Sequence, residues 1–285
     1  MLFEGWQLCP LSDLPVPLDE AGARFVAACV ALLLRALHDG ASTLCRGINA
    51  AELYVGEDGR VRPLLLRHAK RLDGPTYTVC GAKSSLSPEQ IRGEGHGFGA
   101  DEWALGALLF ELLTARAPFA GENTSSSVGS HINLVGDDEA AVPVDTTAAA
   151  AGLSDAEEVA TYERILAHRA GALRPRLIAL RLRERRPAVS DACADCIEAL
   201  MAPDAAKRLG GANGPSELLA HPWLRDFDWG ALAPGAVGSP LLDEALKAAE
   251  RAARAAFAAS QPPDAGLGNE PYEGDDLDSC FELTF

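Results

Sequence analysis

Few residues in this sequence have the types and spacing that chemistry needs. Cys193 and Cys196 form one C-x-x-C; with no second pair and no histidine at ligand spacing, they read as core thiols rather than a zinc or redox site. GHGFGA, residues 95–100, fits G-x-G-x-x-A, but a phosphate-cradling loop follows a strand and opens a helix within a βαβ unit. The SPEQIRGEG before it carries no strand signal, so dinucleotide binding is set aside. The histidines His38, His68, His96, His131, His168 and His221 are dispersed and offer no nucleophile, base and orienter as a set. There remains CRGINAAE, residues 45–52, where Arg46, Asn49 and Glu52 bracket Gly47. It is either a loop shaped for phosphoryl transfer or a plain helix-to-strand connection.

The bulk properties narrow the setting. A chain of 285 residues, 48% hydrophobic, can bury one good core, with room for a tail. A net charge of −16 argues against nucleic acid as the main partner, because phosphate-backbone affinity needs clustered cations. The longest apolar run, Phe25 to Leu34, is ten residues, short of a bilayer span, so it reads as a buried helix and no membrane partner is expected. MLFEGWQLCPLSD has no basic n-region and no long apolar h-region. The seven scattered cysteines suit reduced thiols, and the expected location is cytoplasmic. Between Gly121 and Ala160 there are eight acids and no Lys or Arg, whereas Arg164, Arg169, Arg174, Arg176, Arg181, Arg183, Arg185 and Arg186 crowd the next stretch. Solvated faces that pair with each other, or a docking patch for a partner, would both produce this pattern.

These residues must be positioned by elements that periodicity reveals. Phe25, Val26, Cys29, Val30, Leu33, Leu34 and Leu37 share a helical stripe over 19–38, and Asp39-Gly40 supplies a stop. ELYV, GEDGR and VRPLLL predict a small hairpin turning where Gly56 and Gly59 allow positive φ. DEWALGALLFELLTA, 101–115, has few polar residues on any face and should be a helix buried nearly all round. Residues 121–160 read as a long insertion, and helices resume from about Tyr162, at DACADCIEALM and at PSELLAHPWL. An Ala-rich helix over 243–260 precedes a polar, acidic end that reads as mobile. The chain is expected to be mainly α with one small β element.

Four landmarks occur in order: CRGINAAE at 45–52, LLLRHAKRL at 64–72, TVCGAKSSLSPE at 78–89, and DEWALGALLFELLT at 101–114 followed by APF at 117–119. Together they resemble the C-terminal lobe of a eukaryotic serine/threonine protein kinase of the AGC type, in the cyclic-nucleotide-dependent branch. ARFVAACV, YTVCG, SPE, KRLG with NG, and HPWLRDFDWGAL extend the resemblance. DDLDSCFELTF is similar to the acidic tail with terminal aromatics, closest in form to a cyclic-GMP-dependent kinase. The resemblance implies a kinase-like lobe over 1–228 with an insertion at about 121–160, and a tail over 229–285. It also implies that the nucleotide-binding N-terminal lobe, with its Gly-rich loop and strand-borne lysine, is absent, because about two dozen residues precede the first core helix.

In such kinases the catalytic loop reads H-R-D-x-K-x-x-N: Asp takes the substrate proton, Lys screens the phosphoryl group and Asn holds Mg²⁺. The matching residues here are Cys45, Arg46, Gly47, Asn49 and Glu52, and Leu65 stands where the metal-binding Asp of D-F-G belongs. Gly47 offers no base, Leu65 no oxygen for Mg²⁺, and the Arg67 guanidinium is a candidate to fill the metal's space beside Glu52. The resemblance therefore implies no intact catalytic residue, no metal and no cofactor. Glu89 and Arg208 match the family's buried ion pair, and Asp101 the aspartate that caps the catalytic-loop backbone. Arg46 remains, and Thr78 sits where the activating phosphothreonine would, either as its docking partner or as an unmodified surface threonine. Ala82, Lys83, Ser84 and Ser85 replace the family's Thr and Pro-Glu-Tyr. Phe281 and Phe285 either stay idle or insert into another kinase chain. The reading is a pseudokinase, an interaction or regulatory module with a protein partner; the alternative is an incomplete chain of an ATP- and Mg²⁺-using Ser/Thr kinase.

Overall fold

The computed structural model describes residues 7–121, 155–232 and 238–260. It begins with a strand, β1 (Gln7–Pro10), and a long helix, α1 (Glu20–Ala41). Asp19 caps α1 by accepting from the Gly22 N–H at 2.8 Å. The helix runs through Asp39-Gly40 instead of stopping there, and ends where Ser42 turns left-handed at φ 48°. A single Gly within a helix costs only about 1 kcal/mol, which the packing of α1 outweighs. α1 is long and apolar enough to cross a membrane by length and composition, beyond what its ten-residue apolar run suggests. Two thirds of that window is buried within the protein, which marks a core helix instead.

The expected hairpin is β3 (Leu53–Gly56) with β4 (Val61–Pro63), antiparallel, Tyr54 facing Arg62. Gly59 takes positive φ at 74°, while Gly56 does not. β1 pairs along β3 to give a three-stranded sheet in the order β1-β3-β4, and β2 (Thr43–Leu44) pairs with β5 (Lys70–Arg71). Neither pairing is legible in the sequence: QLCP does not alternate, and two-residue strands are too short to carry a period.

Beyond β5 come α2 (Pro88–Ile91) and α3 (Gly99–Thr114). α3 is buried along almost its whole length, as its all-round apolarity predicts, and it packs on α1, on α5 (Leu173–Arg183) and on α6 (Asp191–Leu200). At Gly106 the end of α6 comes close: a Cβ there would lie 2.5 Å from Met201 Cγ and 3.0 Å from Leu200 Cβ. Gly106→Val is expected to cost about 1 to 3 kcal/mol by overpacking, read as a lower urea midpoint. Helices resume earlier than about Tyr162, at α4 (Asp155–Leu166), because the acids at 155–158 lie in its first turns, where the helix dipole favours them. Of the expected insertion at about 121–160, residues 122–154 lie outside the described residues, and its last part, from Asp155, is helical in α4. α7 (Ser216–Ala220) and α8 (Trp229–Leu232) follow, then α9 (Leu242–Ser260).

The chain divides into two units, Met1–Ala249 and Glu250–Phe285. In the first, Leu241, Ala245 and Ala248 are buried. In the second, the described side chains, residues 250–256, are all exposed.

Half of the arginine-rich stretch turns inward, while Arg169, Arg183, Arg185 and Arg186 are exposed. Arg164 Nε donates to the Phe119 carbonyl at 2.6 Å and Arg176 to that of Ala120 at 2.6 Å. Arg181, buried, donates to the carbonyls of Leu18 and Leu113. Arg174 reaches the carboxylates of Asp191 and Asp195. These guanidinia clamp chain segments that lack a regular partner, satisfying backbone oxygens that burial would otherwise leave bare.

Candidate functional site

The loop in question hangs between β2 and β3, and Asp101 at the start of α3 fixes it. Asp101 Oδ2 accepts from the Cys45 N–H at 2.7 Å and Oδ1 from the Arg46 N–H at 2.8 Å. That grip holds Arg46 in a left-handed conformation at φ 59°, uncommon for a residue with a side chain. The same Oδ2 lies 2.9 Å from His38 Nε2 on α1. Glu102, also on α3 and fully buried, places Oε1 3.3 Å from the other ring nitrogen, within ion-pair reach though poorly aligned for a hydrogen bond. Phe98 stacks on the imidazole at 4.4 Å.

Burial alone would pull His38 down; its contacts with Asp101 and Glu102, and their charges, outweigh that and push it up to about 9. Burial pushes Glu102 up to about 7, against the pull of His38. Sequence reasoning missed this His–Asp–Glu cluster, since His38 lies 63 residues from the nearer carboxylate. One signal was available: a helix buried all round whose first turn reads Asp-Glu must find a cation for those carboxylates.

The residues where catalysis would be sought turn away from it. Asn49 Oδ1 accepts from the N–H groups of Ala51 and Glu52 at 3.1 and 2.9 Å, so its amide oxygen closes its own turn. Gly47 has open space where a side chain would go; the nearest foreign atom to a Cβ would be the Cys45 carbonyl oxygen at 3.9 Å. The Leu64 N–H meets the Glu52 carbonyl at 3.4 Å, setting Glu52 beside the Leu64–Leu65 end of the hairpin. There Leu65 is exposed, a hydrocarbon where an oxygen ligand would be required. Arg67 forms no ion pair with Glu52 among the described residues, though both charges act on Tyr54 and His68 beside the loop. No cluster of three His, Cys, Asp or Glu side chains among the described residues is placed to hold a metal ion. These residues do not fit a Mg²⁺–nucleotide group.

Below the loop, Arg208 is buried and grips Glu89 with both arms of its guanidinium, at 2.7 and 3.1 Å. It also donates to the carbonyls of Gly99 at 2.6 Å and Ala202 at 3.1 Å, and lies 5.1 Å from the centre of the Trp103 ring. Burial would raise the Glu89 carboxyl, but Arg208 holds it below its ordinary range. Thr78 and Arg46 have different partners. Thr78 Oγ1 lies 3.3 Å from Lys70 Nζ and 3.0 Å from Thr76 Oγ1, while Arg46 Nε donates to the His68 carbonyl. Lys83 pairs with Glu158 of α4, tying the following segment down. Phe281 and Phe285 lie outside the described residues.

GHGFGA leads from α2 into α3, and its own His96 makes only an isolated bridge to Thr76, so a helix rather than a strand precedes it and no βαβ unit surrounds it. Cys193 and Cys196 are wholly buried in α6, and burial pushes both thiols far up, into unreactive territory.

Known proteins account for this arrangement. The model of the protein kinase domain matches residues 11–224. cGMP-dependent protein kinase 2 of Rattus norvegicus is 27% identical over 263 residues, 91% of this chain and 28% of that protein. cAMP-dependent protein kinase catalytic subunit 2 of Drosophila melanogaster is 26% identical over 223 residues, 78% of this chain and 50% of that protein. The cAMP-dependent protein kinase catalytic subunit of Dictyostelium discoideum is 35% identical over 106 residues, 37% of this chain. The chain thus spans well under two thirds of these relatives. A loop gripped by the first aspartate of a buried central helix, a second segment anchored by a buried Glu–Arg pair, and a family match over three quarters of the sequence agree: this chain belongs to the protein kinase domain family.

Proposed function

We propose that this chain is a kinase-related module that binds proteins rather than transferring phosphate, with a scaffold like that of the cyclic-nucleotide-dependent kinases. The observation that carries the reading is the state of the loop over 45–52. Gly47 presents no base, Asn49 spends its amide oxygen on the Ala51 and Glu52 backbone, and Leu65 offers hydrocarbon where a cation would need oxygen. Removing a general base alone typically costs ~10²- to 10⁴-fold in rate. The proposal extends to a cytoplasmic protein partner, and to a phosphate on Thr78, if one is added, being met by Lys70 rather than by Arg46.

The test is a thermal-shift titration of the chain with ATP, with and without Mg²⁺, alongside a phosphotransfer assay. No rise in melting temperature is expected in either series. Gly47→Asp is expected to fold, since the position has open space, and to transfer no phosphate, since restoring one carboxylate leaves Leu65 where a metal would need an oxygen ligand. A Mg²⁺-dependent rise in melting temperature, or turnover by the unaltered chain, would overturn the proposal.

A further inference from the structure

The arginines after Arg164 divide into two populations. Arg164, Arg176 and Arg181 turn inward to carbonyl oxygens, and Arg174 to the carboxylates of Asp191 and Asp195. Arg183, Arg185 and Arg186, at and just past the C-terminal end of α5, are exposed, and no carboxylate pairs with any of them among the described residues. Between these cations and the body of α5 two apolar side chains also lie open: Ile178 is 38% exposed and Leu182 64%. One helical turn separates them, so they share a face.

A helix C-terminus favours cations, which accounts for having arginine there. It does not account for a leucine and an isoleucine held in water beside them. On a chain of net charge −16, these three guanidinia, set against the one exposed carboxylate among them, Glu184, form a local positive field on a negative molecule. An extended anionic surface, whether a bilayer or a nucleic-acid backbone, would meet the repulsion of the whole chain along with that patch. A short segment whose acids reach only this helix end avoids it, and guanidinium forks suit carboxylates in paired geometry.

We infer that the C-terminal end of α5, with Ile178 and Leu182 beside Arg183, Arg185 and Arg186, is a docking surface for a short acidic amphipathic segment of a partner protein. The apolar pair receives the apolar stripe of that segment, as in helix-to-groove recognition, and the arginines select for flanking carboxylates. The inference is independent of whether the chain transfers phosphate.

The test uses the full chain and a fluorescent synthetic peptide bearing leucines at i, i+3, i+4 and i+7 with glutamates on the flanks, and a second peptide with lysines in their place. The glutamate peptide is expected to bind, more weakly as salt rises, and the lysine peptide not to. Arg183→Glu, Arg185→Glu and Arg186→Glu combined are expected to weaken binding roughly tenfold or more. Leu182→Ser, which leaves every charge in place, is expected to weaken it while keeping the salt dependence. Melting curves of each variant separate lost binding from lost fold. Equal binding of both peptides, or no binding of the glutamate peptide by the unaltered chain because its own acids already fill the surface, would overturn the inference. So would adsorption to phosphatidylserine vesicles, abolished by the same substitutions, in place of peptide binding.

Discussion

Arg208→Ala is expected to destabilise the fold by about 3 to 5 kcal/mol, the usual cost of breaking a buried ion pair from one side. The guanidinium is wholly buried and serves Glu89, two carbonyls and the face of Trp103 at once. Removing it strands the Glu89 carboxylate, which is 7% exposed, and leaves the Gly99 carbonyl without that donor. Replacing both partners, as in Glu89→Met with Arg208→Leu, leaves no buried charge and is expected to recover much of the loss. The pair also fixes behaviour in acid. The Glu89 carboxyl is held below its unfolded value of 4.5, so its contribution is complete above that pH and is lost as pH falls through the lower folded value. Urea unfolding of the two variants decides the matter: a single variant within ~1 kcal/mol of the parent would show that the Glu89 charge is not truly desolvated.

Alkali attacks a different point. Stability is expected to fall by about 3 kcal/mol as pH rises from 6.5 to about 9, because His38 binds its proton more tightly in the fold than in the unfolded chain. A raised folded value means that the contribution is complete below 6.5 and gone once the folded imidazolium has released its proton near 9. Glu102 acts with the same sign. Its carboxyl is raised to about 7, so the fold favours its neutral form, and that advantage is lost between about 4.5 and 7. His38→Gln combined with Glu102→Gln removes both titrations and is expected to flatten the profile across the neutral range. The urea midpoint followed against pH for parent and double variant is the measurement. An unchanged slope in the variant would place the pH dependence elsewhere.

What the sequence made legible follows from how each signal is written. α1 and α3 were readable because burial on one stripe or all round is a periodic pattern in residue type. The hairpin was readable from GEDGR between two apolar runs, though of its two glycines only Gly59 turns left-handed. The Glu89–Arg208 and Asp101 positions were found only because an ordered set of motifs resembled a known family; nothing local marks two residues 119 apart as partners. His38 was passed over because a lone histidine on an apolar stripe looks like any other, and its role comes from carboxylates that only the fold brings to it. The arginine stretch was read by charge alone. Its inward members answer backbone oxygens, which carry no sequence signal at all.

The open space at Gly47 and the closed one at Arg208 set how this sequence can drift. A Cβ added at Gly47 meets no neighbour closer than 3.9 Å, so the loop's chemistry can change one codon at a time while the protein stays folded. Glu89 and Arg208 cannot be exchanged that way: either single step passes through a form stranded with a buried charge, and only a double change reaches another stable state. Shape in this chain is therefore protected by a valley between sequences, and the chemistry of the loop is not.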